Sequence, residues 1–342
     1  MKVKVSQLAF EGIVALAGLA LGIGLMVFSS HRAGEHSISL AEALGASPFI
    51  IGLLLVSIGT DLPEIANSIT SSAIGHGDIN IGDSLGSILA QMTLVLGIIS
   101  FFGGTLRSDK REIMIIGASE VLALFLLVSM TQKGYISRLD GLFLVSSWLI
   151  IMMTSRYVHK CYTELHECRL EEKAGLAEGL AQKTSSKSKQ GFDRKKLHHL
   201  AFAILGFTGV AVGAYVVVMS VITLSTLLSI PEFLISFFVV GVGTSLPELV
   251  IDLWAVKRKH YDLIIGDIIG SCIVDATLSI GIGPIFSPIT IWGSASTTTG
   301  LYTIFASIMI ILMLSLRMKL DKKGGVFSLI LYALSFLTIL AI

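Results

Sequence analysis

The amino-acid sequence predicts an all-α membrane protein with ten transmembrane helices, arranged as two inverted five-helix repeats. Three observations predict this class. Only 14% of the 342 residues are charged against 53% hydrophobic, and mean hydropathy is +0.83, which leaves too few charges to cover a soluble globule. Ten stretches approach the roughly 20 mostly apolar residues that a spanning helix needs. An acidic segment in the second stretch recurs in the seventh at an offset of 184 residues.

Taken in order, the first stretch, Leu8 to Phe28, carries Glu11 and no small-residue cleavage pattern, so it reads as a retained helix and not a signal peptide. Ser47 to Ile74 contains Gly59-Thr60-Asp61-Leu62-Pro63-Glu64, and Ile79 to Phe102 carries Asp83, Ser87 and Gln91. Glu112 to Met130 and Leu139 to Thr154 complete a first half, residues 1–160. A polar, charged linker follows at 161–196 and ends in a Ser- and Lys-rich run; its part from Thr163 to Gln182 has the composition of a surface helix. The second half, 197–342, comprises Leu197 to Val221, Pro231 to Val256 with Gly243-Thr244-Ser245-Leu246-Pro247-Glu248, Leu263 to Phe286 with Asp267, Ser271 and Asp275, Thr297 to Leu316, and Val326 to Ile342.

The repeat keeps its register without a gap: Asp78 matches Asp262, Gly82-Asp83 matches Gly266-Asp267, Gly86-Ser87 matches Gly270-Ser271, and Gly97-Ile98 matches Gly281-Ile282. Sixteen of the 40 positions from 59 to 98 are identical, which makes duplication the economical explanation. Five helices per unit is an odd number, so the second copy stands upside down, and such repeats bring equivalent segments together near the bilayer midplane. Of the 25 Lys and Arg, 21 fall in the loops that join odd to even helices, which places the 161–196 loop in the cytoplasm and both termini outside a plasma membrane. A net charge of +1 argues against nucleic-acid binding. Cys161, Cys168 and Cys272 form no C-x-x-C pair and have no His at zinc-ligand spacing, so they read as unpaired thiols.

The chemistry concentrates on helices 2, 3, 7 and 8. A Gly-Thr-x-Leu-Pro-Glu run is a poor helix interior, because Pro removes a backbone donor and clashes with the preceding turn. The helix should kink there, and freed carbonyls in lipid survive only where they are buried in protein or line a polar cavity. Both copies place a carboxylate directly after the Pro, which packing alone would not require. Glu64 and Glu248 are joined by Asp61, Asp83, Asp267 and Asp275, with no Lys or Arg from 47 to 106, 197 to 256 or 260 to 316. Six unpaired carboxylates at roughly 2.5–3.5 kcal/mol each cannot all stay anionic in hydrocarbon unless hydrated, protonated or neutralised by cations. Thr60, Thr244, Ser245, Ser87, Ser271 and Gln91 add neutral oxygens, a ligand set suited to Ca2+ and Na+. The spacings 83, 87, 91 and 267, 271, 275 put each triplet on one helix face. Glycines at 82, 86 and 97, and at 266, 270 and 281, are expected to let helices 3 and 8 approach helices 2 and 7. Asp78, Asp262, His76 and His260 are expected in solvated or capping roles, and Glu11, Glu120 and Asp252 stand outside the site as lone acids.

These two segments resemble the alpha repeats of the sodium/calcium exchanger superfamily, over about 45 residues of each half together with the ten-helix plan and the loop after helix 5. The resemblance implies Na+-driven Ca2+ exchange by alternating access, with helices 1 and 6 sliding over the remaining bundle. It implies Ca2+ on Glu64 and Glu248 with carbonyls near Thr60 and Thr244. It also implies polar ligands for Na+ or the central site from Ser87, Ser271, Ser245, Gln91 and Asp275. This chain departs from the family at Asp61, where Ser is usual, at Asp83 and Asp267, where Asn is usual, and at Gln91, Ile88 and Cys272. Each added acid is titratable, and Asp61 sits one turn from Glu64, where like charges favour protonating one of them. Proton-coupled or Mg2+-selective exchange on the same fold is the alternative reading. A channel of this composition, or an aspartyl protease using Asp83 and Asp267, are the readings from other classes. Against the protease, Asn80 stands where the first Gly of a Gly-x-Gly-Asp signature belongs. No enzyme activity, cofactor or obligatory protein partner is expected beyond the bilayer and the transported cations.

Overall fold

The computed structural model describes residues 2–43, 57–102, 106–107, 110–154, 194–257 and 261–337. The polypeptide runs as long helices punctuated at matching points in the two halves. Helix α1 spans Lys2–Ala43. Helix α2 is broken into Ser57–Thr60 and Leu62–Ile74. Helix α3 runs through Gly77–Leu89, a π-helical stretch Ala90–Val95, and Leu96–Phe102. Helix α4 is Lys110–Thr131 and α5 covers 138–154. In the second half α6 is Arg194–Leu228. Helix α7 passes through Glu232–Ile235, the π-helical Ser236–Val240, Gly241–Thr244 and, after a break, Leu246–Lys257. Helix α8 combines Tyr261–Val274, the π-helical Asp275–Ser279 and Ile280–Phe286. Helices α9, Gly293–Arg317, and α10, Lys322–Ser335, follow.

Seven of these helices are long and apolar enough to cross a membrane, from Leu8–Ser37 to Gly293–Arg317. Three expected spans are absent from that set among the described residues. Residues 47–56 and 338–342, which belong to the second and tenth apolar stretches, lie outside the described residues, and 138–154 is short. The surface helix expected within 163–182 also lies outside them.

Helices α3 and α8 form the centre: 78% of the apolar window in Gly77–Phe102 and 83% of that in Ile264–Phe286 are buried, against 28% in Leu8–Ser37. Around them α4, α9, α5 and α10 share one continuous apolar core, whereas α1 and α6 meet along a separate apolar seam that includes Leu19, Met26, Val217 and Val221. Two short antiparallel pairs tie the halves together: Leu106–Arg107 (β1) with Lys319–Leu320 (β4), and Tyr135–Ile136 (β2) with Ile289–Thr290 (β3). Shifting one half by 184 residues turns the first pairing into the second to within one residue.

Glycine governs the closest approach. A Cβ on Gly86 would overlap the Phe237 carbonyl oxygen, and one on Gly241 would lie 2.6 Å from the Ser87 nitrogen, so α3 and α7 touch backbone to backbone. Gly97 and Gly281 depart from expectation: they pack against α10 at Gly325 and α5 at Gly141, not against α2 or α7. A helix as central as α3 or α8 presents several faces, and these glycines lie past the π segments, on the stretch that meets the outer helices.

Candidate cation site

Both hexapeptides break their helices at the same place. Asp61 (φ −84°, ψ 11°) and Ser245 (φ −78°, ψ 2°) leave helical geometry, and new helices start at Leu62 and Leu246. The cause is Pro63 and Pro247, which bring no N–H to the carbonyls of Gly59 and Gly243 four residues back. Each restarted helix carries a glutamate in its first turn, where unpaired amide N–H groups and the positive dipole end favour a carboxylate.

Residues from four helices converge. Carboxylate oxygens of Asp61, Glu64 and Asp275 lie within 4.8 Å of one another, all fully buried. Oxygens no farther apart than that lie at most about 2.8 Å from a common point, so a closing movement of a few tenths of an ångström brings all three to a Ca2+–oxygen bond of roughly 2.4 Å. Around them the Ser87 hydroxyl is 3.5 Å from Glu64 Oε1 and 2.9 Å from the Ser245 hydroxyl, while Gln91 Nε2 donates to Ser87 Oγ at 3.1 Å. Ser245 Oγ donates back to the Gly241 carbonyl at 2.7 Å. Both oxygens of Asp61, Asp275 and Glu248 lack a hydrogen-bonding partner among the described residues. Buried carboxylate oxygens without donors are costly unless a proton or a cation satisfies them.

The π stretches re-aim this wall. Gln91 and Asp275, equivalent in the repeat, both fall in one, and in both Thr93 and its match Thr277 bond the carbonyl four residues back. π-bulges inside α-helices recur at functional sites, and the 83, 87, 91 spacing gave no sign of one.

The remaining expected residues occupy distinct positions. Asp83 accepts from Thr244 Oγ1 at 3.0 Å and from Asn67 Nδ2, so its carboxylate joins α3 to α7 and α2 and is not one of the three converging acids. Glu248 and Ser271 are buried. Asp267 is half-buried with Oδ2 unpartnered. Thr60 is half-buried and, with Gly59 and Pro247, walls a cavity of about 470 Å³ that extends along α1 to His31 and Glu35.

Sequence reasoning missed three residues. Asn67 holds Asp83 in place. Asp252 is buried with both oxygens unpartnered and has Asp267 as its electrostatic neighbour; its spacing of four from Glu248 was the available signal. Glu120 is buried and accepts from Ser307 at 2.7 Å, for which no repeat partner gave a hint. Asp78 and His76 differ from the solvated or capping roles expected of them. Asp78 accepts from the Trp292 backbone N–H at 2.5 Å, and His76 contacts Glu232 at 2.8 Å, so both bind the first half to the second. His260 lies outside the described residues, as does the side chain of Asp262.

Buried carboxylates where broken helices meet inside an apolar bundle are the arrangement of a secondary transporter for cations. The sequence profile described as sodium/calcium exchanger protein matches residues 14–157 and again 198–341, two segments displaced by the same 184 residues as the hexapeptides, and the chain belongs to this family. It is 26% identical to the sodium/calcium exchanger MaX1 of Methanosarcina acetivorans over 94% of this chain and 97% of that protein. It is also 28% identical to the inner membrane protein YrbG of Escherichia coli over 81% of each. Among solved structures, the sodium-calcium exchanger NCX_Mj soaked with 2.5 mM Na+ and 0.1 mM Ca2+ matches with a TM-score of 0.58 at 25% identity, covering 95% of this chain and 98% of that one. The protein is therefore a membrane-embedded cation antiporter.

Proposed function

We propose that this antiporter exchanges Ca2+ for Na+ by alternating access, with Ca2+ held by Asp61, Glu64 and Asp275 and completed by Glu248. Ser87, Gln91, Ser245 and Ser271 supply neutral oxygens, carbonyls near Thr60 and Thr244 complete the site, and Asp83 and Asp267 brace its two sides. The observation that carries the reading is the convergence of three buried carboxylates from both halves within 4.8 Å. An emptied centre keeps several like charges in low dielectric and resists closing, so the protein crosses between its two open states loaded with one ion or the other. That penalty enforces counterflow over leak.

The same reading takes the chain as ten spanning helices in two inverted repeats, 1–160 and 197–342, with the 161–196 linker cytoplasmic and the termini outside. The exchanged β1–β4 and β2–β3 pairings support the two-fold relation. Charge favours a second coupling ion. Asp61, Glu64, Glu248 and Asp275 together exceed the two charges of one Ca2+, which gives protons a place in the cycle, and Mg2+ competes for the same oxygens.

The test is 45Ca2+ uptake into liposomes carrying the purified protein under an outward Na+ gradient, an outward H+ gradient, or neither. Uptake driven by Na+ is expected. Uptake driven by H+ alone would move the coupling to protons, and uptake that needs no counter-ion would make the protein a channel.

A further inference from the structure

Away from the acidic centre, three imidazoles meet where the last turns of α1 face the first turns of α6. His36 Nδ1 is 2.9 Å from His199 Nδ1, a contact in which one ring donates and the other accepts. The ring centroids of His36, His199 and His198 form a triangle with sides of 5.2, 5.8 and 6.0 Å. Phe202 closes one side, with its ring 5.1 Å from His36 and 4.5 Å from His198.

The helices behind this triangle hold it in register. Along the α1–α6 seam Gly206 abuts Ala33, Gly209 abuts Ser29, and Gly213 abuts Met26 and the Gly22 carbonyl, all closer than a Cβ would allow. Antiparallel helices locked by that many backbone contacts cannot slip past one another by a residue. His36 therefore has fixed partners on α6.

We propose that His36, His198 and His199 form a binding site for a borderline transition-metal ion, Zn2+ above all, that pins the end of α1 to α6. Three imidazoles on a tetrahedral Zn2+, with Zn–N bonds of about 2.0–2.1 Å, place their ring centroids about 5.2 Å apart and their ligating nitrogens about 3.4 Å apart. The triangle is within about 1 Å of the first figure, and the 2.9 Å nitrogen pair opens by about half an ångström as the metal takes the place of the shared proton, which moves to Nε2 of the ring that carried it. The three rings do not yet bring one nitrogen each to a common point: the exposed His198 ring, which lies beside Phe202, turns inward to complete the set, and solvent supplies the fourth ligand. Nitrogen donors select Zn2+, Ni2+ or Cu2+ and disfavour Ca2+, the reverse of the all-oxygen centre. The site does not depend on what the acidic centre transports.

The test uses the full-length chain freed of any affinity tag, titrated with Zn2+ in the presence of millimolar Ca2+ to occupy carboxylates. We expect one Zn2+ per chain at micromolar or tighter affinity, a rise in unfolding temperature, and the visible absorption of tetrahedral Co2+ when Co2+ replaces Zn2+. His36→Ala and His199→Ala should each weaken binding at least about tenfold and remove the Co2+ spectrum. His198→Ala, at an exposed position, guards against variants that fail to fold and should lose the same signals. Binding that survives in the His36→Ala/His199→Ala double variant, or no binding below about millimolar, overturns the site.

Discussion

The segments Gly59 to Glu64 and Gly243 to Glu248 share a backbone and differ in charge. Both break at the residue before Leu-Pro-Glu, and both restart a helix with the glutamate in its first turn. In the first the break residue is Asp61, with its carboxylate facing Glu64 and Asp275. In the second it is Ser245, whose hydroxyl turns back to Gly241 and meets Ser87. Two repeat-equivalent breaks therefore carry unequal charge, in a cluster that includes Asp61, Glu64 and Asp275 and not Glu248. Duplication supplied the kinks. Substitution at 61, 91 and 275 supplied the asymmetry.

The sharpest way to break this comparison is at the glutamates. Glu64→Gln should lower Ca2+ uptake by more than about 30-fold, because truncating one member of a buried charged contact costs upwards of about 2 kcal/mol. Glu248→Gln should also lower it, but by less. Equal losses in the liposome assay would restore a symmetric site. Next in size, Asp61→Ser makes the two kinks chemically alike and should weaken Ca2+ uptake about tenfold while flattening its dependence on pH, with an unchanged unfolding temperature. If pH dependence survives unaltered, the proton role assigned to the asymmetry falls.

A packing comparison follows. Gly86→Ala drives a Cβ into the Phe237 carbonyl and should cost about 1–3 kcal/mol in unfolding measurements, whereas Gly24→Ala, on the exposed face of α1 where a Cβ meets nothing within 4 Å among the described residues, should cost less than about 0.5 kcal/mol. Equal damage at both would mean that backbone contact between α3 and α7 is not what makes Gly86 costly to replace. The smallest effect is expected from His76→Ala, which removes a partly exposed side-chain contact with Glu232 worth under about 1 kcal/mol.

Much of the site could be read directly from the sequence because its causes are local. Proline in an apolar run breaks a helix wherever it sits, and a carboxylate in a segment without Lys or Arg must find a cation, a proton or water. The contacts that sequence reasoning missed act at long range. Asn67 matters through Asp83 sixteen positions on, Asp78 through Trp292 in the other half, and Glu120 through Ser307 on α9. None of these pairs has a spacing that a helical period reveals. The glycines divide the same way: Gly82 and Gly86 pack against α7, while Gly97 and Gly281 serve the outer helices, a distinction that identical motifs cannot carry.

By itself, then, the sequence determined the helical membrane class, the duplication with its 184-residue offset, the two breaks, and the inventory of carboxylates, since each follows from composition or from neighbours a few residues apart. Only the tertiary structure decided which acids converge. Asp61, Glu64 and Asp275 come from α2 and α8, which meet directly where Gly283 abuts Ser68 and Ser72 and its N–H donates to Ser68 Oγ at 3.2 Å. Distances between helices arise from packing across the whole bundle, and no local pattern records them.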